Sequence, residues 1–176
     1  MATSAYVGLD PSLTGFGVAA IGEEYWQTWL LKSNKRGIDR LLDLSYQLSD
    51  VFAEIGRPIG DVAVEDTVRA SLSASALGEL AGIVKMTCHT SLNGPGKYPL
   101  RVPPTTLKKY ATGRGNAKKP EVMLSVYKKW GVEILDDNLS DAYVLAKIAA
   151  GHATTAYEKD VIDRLSDPKF RDGPNV

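Results

Sequence analysis

The 176 residues contain one cysteine, Cys88, and two histidines, His89 and His152. A single cysteine excludes an internal disulfide and fits a reducing cytoplasm. Cys88 and His89 are neighbours, but with no second cysteine they make a poor zinc shell, and Cys88 reads as a small buried residue ending an apolar helix. No apolar run approaches the ~20 residues a bilayer span requires, and the N-terminus MATSAYVGLD lacks the basic stretch of a secretion signal. Neither export nor membrane insertion is therefore expected. Internal repeats are missing too, as is any convincing Ser/His/Asp or Cys/His set for nucleophilic catalysis. Net charge is also absent, with 21 basic residues against 21 acidic ones.

Charge is nonetheless unevenly spread. Between Lys97 and Lys129 lie nine Lys or Arg residues and one acid, Glu121. Acids gather elsewhere, among them Glu23, Glu24, Asp61, Glu65, Asp66, Asp136, Asp137 and Asp141. One segment can thus carry a phosphate-binding face while other positions carry a metal-binding one. Composition alone would equally make these lysines solvated helix faces.

The order of elements follows from periodicity. Tyr6 to Asp10 is a short apolar run stopped by Pro11, which leaves Asp10 at the end of a strand. Gly15 to Gly22 and Tyr25 to Leu31 predict two more strands, joined too closely for crossover helices and so antiparallel. Arg36 to Ile55 has helical apolar spacing closed by Gly56 and Pro58. Val62 to Glu65 reads as a central strand buried on both faces, and Leu72 to Thr90 as a helix rich in small residues. Tyr98 to Val102 predicts a fifth strand. Helices are expected from Thr105 or Thr106 to about Ala111, from about Ala117 to Trp130, and from Asn138 or Ser140 through Ala150. The fold class is α/β, a five-stranded mixed sheet flanked by helices. Residues 1–152 are expected to form one domain and residues 153–176 a partly ordered tail.

Three acidic positions bear on chemistry. Sites in sheets of this kind form beyond the carboxyl ends of neighbouring strands, where Asp10 and Glu65 both lie. A carboxylate ending a buried strand is costly without a partner or a metal. Asp66 points to the opposite face, so only one of the pair can share a cluster with Asp10. Asp137 and Asp141 lie four apart on one helix face, as Asn138 and Asp141 would three apart. Asp136 and Asp137 also suit a helix cap, whereas Asp141 is inside the helix. Oxygen donors without a His/Cys cluster favour a hard ion such as Mg²⁺ or Mn²⁺, and two such ions can drive phosphodiester hydrolysis without a protein nucleophile.

Four segments in register, GLDPSLTGFGVA, VAVED, LKKYATGRGNAKKPEV and DDNLSDAYVLA, together resemble the RuvC-type Holliday junction resolvases from about residue 6 to about residue 151. The resemblance implies a ribonuclease-H-like fold, a homodimer, and Mg²⁺-dependent nicking of opposing strands of a four-way DNA junction, with Mn²⁺ able to substitute and two ions per site. Residue by residue, it implies catalytic and metal-binding roles for Asp10, Glu65 and Asp141, and essential cations at Lys108 and Lys119. The fourth ligand stays open between Asp137 and Asn138, since the family's usual acid three residues before the last aspartate is Asn138 here. DNA contacts are expected from Arg69, Lys108, Lys109, Arg114, Lys118 and Lys119. Some members carry an aromatic shortly after the glutamate to unstack bases; Val68, followed by Arg69, stands there in this chain. A broader branched-DNA or flap nuclease, a cleavage-deficient junction binder and an actin-like ATPase are the competing readings. The last is disfavoured by the short chain and the lack of a second Gly-rich phosphate motif.

Overall fold

The computed structural model describes residues 3–66 and 74–171. Three strands come first, β1 (Ala5–Asp10), β2 (Phe16–Gly22) and β3 (Tyr25–Leu31), followed by helix α1 (Gly37–Glu54) and strand β4 (Ile59–Glu65). Then follow α2 (Ala74–Ser91), β5 (Leu100–Val102), α3 (Pro104–Thr112), α4 (Lys119–Trp130), α5 (Asp137–Ala149) and α6 (Ala156–Leu165). The sheet order is β3-β2-β1-β4-β5. β1, β2 and β3 pair antiparallel as a meander, and β4 runs parallel to both β1 and β5. This is the ribonuclease-H-like mixed sheet with helices on both faces.

Alternation along the strands sorts residues between two cores. Val7 and Leu9 of β1, Val18 and Ala20 of β2, and Val62 and Val64 of β4 face α1 and α2, where they meet Leu44, Leu48, Leu80 and Cys88. The opposite set, including Ala19, Ile21 and Ala63, faces α3, α4, α5 and α6. By the same alternation, Asp10 and Glu65 lie on the α5 face.

β4 begins three residues before the expected Val62. Gly60 and Asp61 look like turn residues, but Ile59 pairs with Ala5 and Asp61 with Tyr6, so ladder bonds to β1 override local propensity. The C-terminal stretch carries α6, which sequence periodicity did not identify. Its Val161 and Leu165 are buried in the α5-side core, and Thr155 and Glu158 form a capping box at its start. Among the described residues, no helix is long and apolar enough to cross a membrane.

α5 is held against the sheet by two glycines. A Cβ on Gly8 would collide with the Ala142 carbonyl and the Ala146 amide, and one on Gly17 with the Asn138 carbonyl. These obstacles are backbone, so they cannot rotate away. Gly8→Ala is therefore expected to cost about 3 kcal/mol of stability by pushing α5 off β1. A denaturant midpoint equal to wild type would show that α5 retreats freely.

Candidate active site

The close approach at Gly8 and Gly17 brings the start of α5 over the carboxyl end of β1. Asp136 caps α5, its carboxylate accepting from the Leu139 amide at 3.1 Å. That leaves Asp137 in the first turn and Asp141 one turn further, on one face. Asp10 comes from the end of β1 and Glu65 from the end of the adjacent parallel strand β4.

The electrostatics show that these acids act on one another. Asp10 is only 8% exposed. Burial, then the charges of Glu65 and Asp141, raise its carboxyl to a pKa of about 8. Burial and Asp141 raise Glu65 to about 7, and burial with Asp137 raises Asp141 to about 6 against the pull of Lys119 and Lys108. Asp137 behaves oppositely and is held below the usual carboxylate range, chiefly by a hydrogen bond from Lys119. Desolvation and like-charge repulsion thus act on one shared cluster.

Among the described residues, Lys119 and Lys108 face it. Lys119, in the first turn of α4, donates to Asp137, and its charge also reaches Asp10, Glu65 and Asp141. Lys108, on α3, acts on Glu65 and Asp141. Gly113 ends α3 with a φ of 82°, a left-handed value that lets the chain turn toward α4.

The other expected basic residues are placed differently. Lys109 turns to α6 and pairs with Asp160 at 2.5 Å, while Arg114 pairs with Glu121. Lys118 is the exposed N-cap of α4. Exposed pairs of this kind are worth little. Arg69 and Val68 lie outside the described residues. Asn138 packs its carbonyl against Gly17 and its amide beside Gly15. Asp66 carries its amide to the Val102 carbonyl at 2.9 Å, continuing the β4–β5 ladder.

Sequence periodicity missed the support behind this face. Lys129, read from sequence as a solvated residue, forms a 2.7 Å ion pair with Glu158, which is nearly inaccessible. Glu158 also accepts from the Thr154 and Thr155 amides, so the start of α6 is tied to α4. The signal was the Thr155-x-x-Glu158 capping pattern.

Among the described residues, no three acidic, histidine or cysteine side chains stand close enough together to enclose an ion as placed. The donor chemistry nevertheless suits a hard divalent cation. It is all oxygen, and three of the acids resist ionisation because of burial and mutual repulsion, which a nearby cation would offset.

Fold and site together define an α/β sheet protein with an acidic centre at the ends of two parallel strands. Its fold is of the RuvC type. The structure superposes on Thermus thermophilus RuvC in complex with Holliday junction substrate with a TM-score of 0.64 at 21% identity, covering 81% of this chain and 90% of that one. A second Thermus thermophilus RuvC structure matches with a TM-score of 0.62 at 20% identity, covering 93% and 97%. No family model matches the sequence, and no curated relative does.

Proposed function

We propose that the protein is a Mg²⁺-dependent endonuclease that resolves four-way DNA junctions by symmetric nicks, in recombination and repair within the bacterial cytoplasm. The observation that carries this reading is the convergence of Asp10, Glu65, Asp137 and Asp141 opposite Lys108 and Lys119, on a RuvC-type fold. Those four acids would hold the metal. Asp137 is preferred over Asn138 because its charge reaches Asp10 and Asp141, whereas Asn138 carries no charge and sets its side-chain amide nitrogen beside Gly15. When bound, two Mg²⁺ ions supply activation of the attacking water and neutralisation of the leaving 3′ oxygen. Lys108 and Lys119 set ammonium groups beside the acids, where they offset charge developing on the phosphate. Burial of Asp10 keeps bulk water from screening that field.

A panel of four-way, three-way, flap and linear substrates with Mg²⁺ tests the reading. Paired nicks confined to four-way junctions are expected; equal cutting of flaps would replace it with a general debranching role.

The same reading calls for a homodimer. α1 and α2 present Ile38, Leu42, Tyr46 and Met86 to solvent, a larger apolar face than scattered surface residues make. On α2, open space lies above Gly78 and Gly82. About Gly82 the sequence is self-complementary, with Glu79 and Lys85 three residues either side and Gly78 and Met86 four. Two α2 helices packed antiparallel on a two-fold axis at Gly82 would seat Met86 over the partner subunit's Gly78 and Glu79 against the partner subunit's Lys85. Met86→Glu is expected to shift micromolar protein to monomer in sedimentation, while Leu135→Glu leaves it dimeric. A dimer that survives Met86→Glu must use another face.

A further inference from the structure

Among the described residues, Lys119 is the cation whose ammonium pairs directly with one of the four acids, Asp137. Lys108 acts on two acids through space. Carboxylates brought to one end of the sheet call for a counter-charge when they ionise, and the Lys119 ammonium bonded to Asp137 supplies one from within the chain. We propose that Lys119 is the resident counter-ion of the acidic centre. It holds Asp137 until a divalent cation takes that carboxylate, and it is thereby released toward DNA phosphate.

Metal affinity would then be set partly by a residue that is not a ligand, and metal loading would precede full engagement of phosphate by Lys119. The lock is a loose one, because the Lys119 side chain is 62% exposed and that of Asp137 35%. An ion pair so exposed to water is weak, so its removal is expected to change cation affinity by about fivefold rather than by orders of magnitude. The inference rests on reading the four acids as a divalent-cation site.

The test is calorimetric titration of Mn²⁺ into the full chain without DNA, comparing wild type with Lys119→Met, Lys119→Arg and Lys108→Met. Lys119→Met is expected to bind Mn²⁺ about fivefold tighter. Lys119→Arg should stay near wild type, and Lys108→Met should gain less than Lys119→Met. In parallel, the metal-free melting temperature of Lys119→Met should fall and its rise on adding Mn²⁺ should grow. Equal or weaker binding by Lys119→Met, with wild type binding normally, overturns the counter-ion role and leaves the metal site standing. An equal gain in Lys108→Met overturns it as well, since the effect would then be a general field. Absence of Mn²⁺ binding throughout the set removes both the role and the site.

Discussion

Asp10→Asn is expected to abolish cleavage and at the same time to stabilise the metal-free protein. The loss should be at least about a thousandfold in single-turnover cleavage of a four-way junction, equivalent to about 4 kcal/mol of transition-state stabilisation. Asparagine is nearly isosteric but contributes no charge to hold a cation, so junction affinity should remain near wild type while the chemical step fails. Stability should move the other way. The Asp10 carboxyl is buried and faces Glu65 and Asp141, and its pKa of about 8 shows that ionisation there works against the fold. Removing that charge relieves both burial and repulsion, a gain on the order of 1–3 kcal/mol at pH 8 in chelator. Opposite signs are the diagnostic result. A residue important only for packing would lose stability and activity together. A variant that cleaves junctions normally would remove Asp10 from the chemistry, and Glu65→Gln, tested beside it, should show the same pair of effects.

How much of this was legible beforehand depended on whether a signal was local. The meander was readable because its connections are short and its strands end on Pro11 and on Gly-rich turns. Asp10 and Glu65 were readable as a pair because strand alternation assigns each to a face, and parallel pairing of β1 with β4 then aligns them. The early start of β4 was not, because Gly60 and Asp61 have poor strand propensity and join the ladder only through pairing with β1. The choice between Asp137 and Asn138 could not be made from spacing, since both lie on the Asp141 side of an idealised helix. It depends on side-chain placement, which spacing does not supply: Asp137 pairs with Lys119, and Asn138 sets its amide nitrogen beside Gly15.

Charge count could not tell the basic residues apart. Lys109, Arg114 and Lys129 belong to the same basic stretch as Lys108 and Lys119, yet the fold engages them with Asp160, Glu121 and Glu158. Two of these acids lie on α6, in the stretch expected to be a partly ordered tail. Only long-range packing separates the lysines that face the acidic centre from those that hold the scaffold behind it.

The grouping of acids makes a second large effect, on stability as a function of pH. Asp10, Glu65 and Asp141 have folded-state pKa values of about 8, 7 and 6, all above their ordinary values of 3.8, 4.5 and 3.8. The folded protein therefore retains protons that the unfolded chain has already released. Stability from these groups is fully present below about pH 4 and is lost as pH rises through the folded-state values, between about 4 and 8. Mutual repulsion is shared among the three, so their effects do not add in full; a combined loss on the order of 3–6 kcal/mol between pH 5 and 8.5 is expected in chelator. His152 works against this trend in the same window, because burial and Lys147 lower its pKa, but it is a single group. Glu158, lowered to about 2, contributes stability that is lost only under more acidic conditions. A divalent cation binds the ionised acids, so Mg²⁺ should raise the melting temperature far more at pH 8.5 than at pH 5.5. Thermal melts across that range, with chelator and with Mg²⁺, check both halves, and Asp10→Asn should flatten the slope in chelator. A metal-free melting temperature that holds level or climbs toward pH 8.5 would mean that the three acids do not share one desolvated centre.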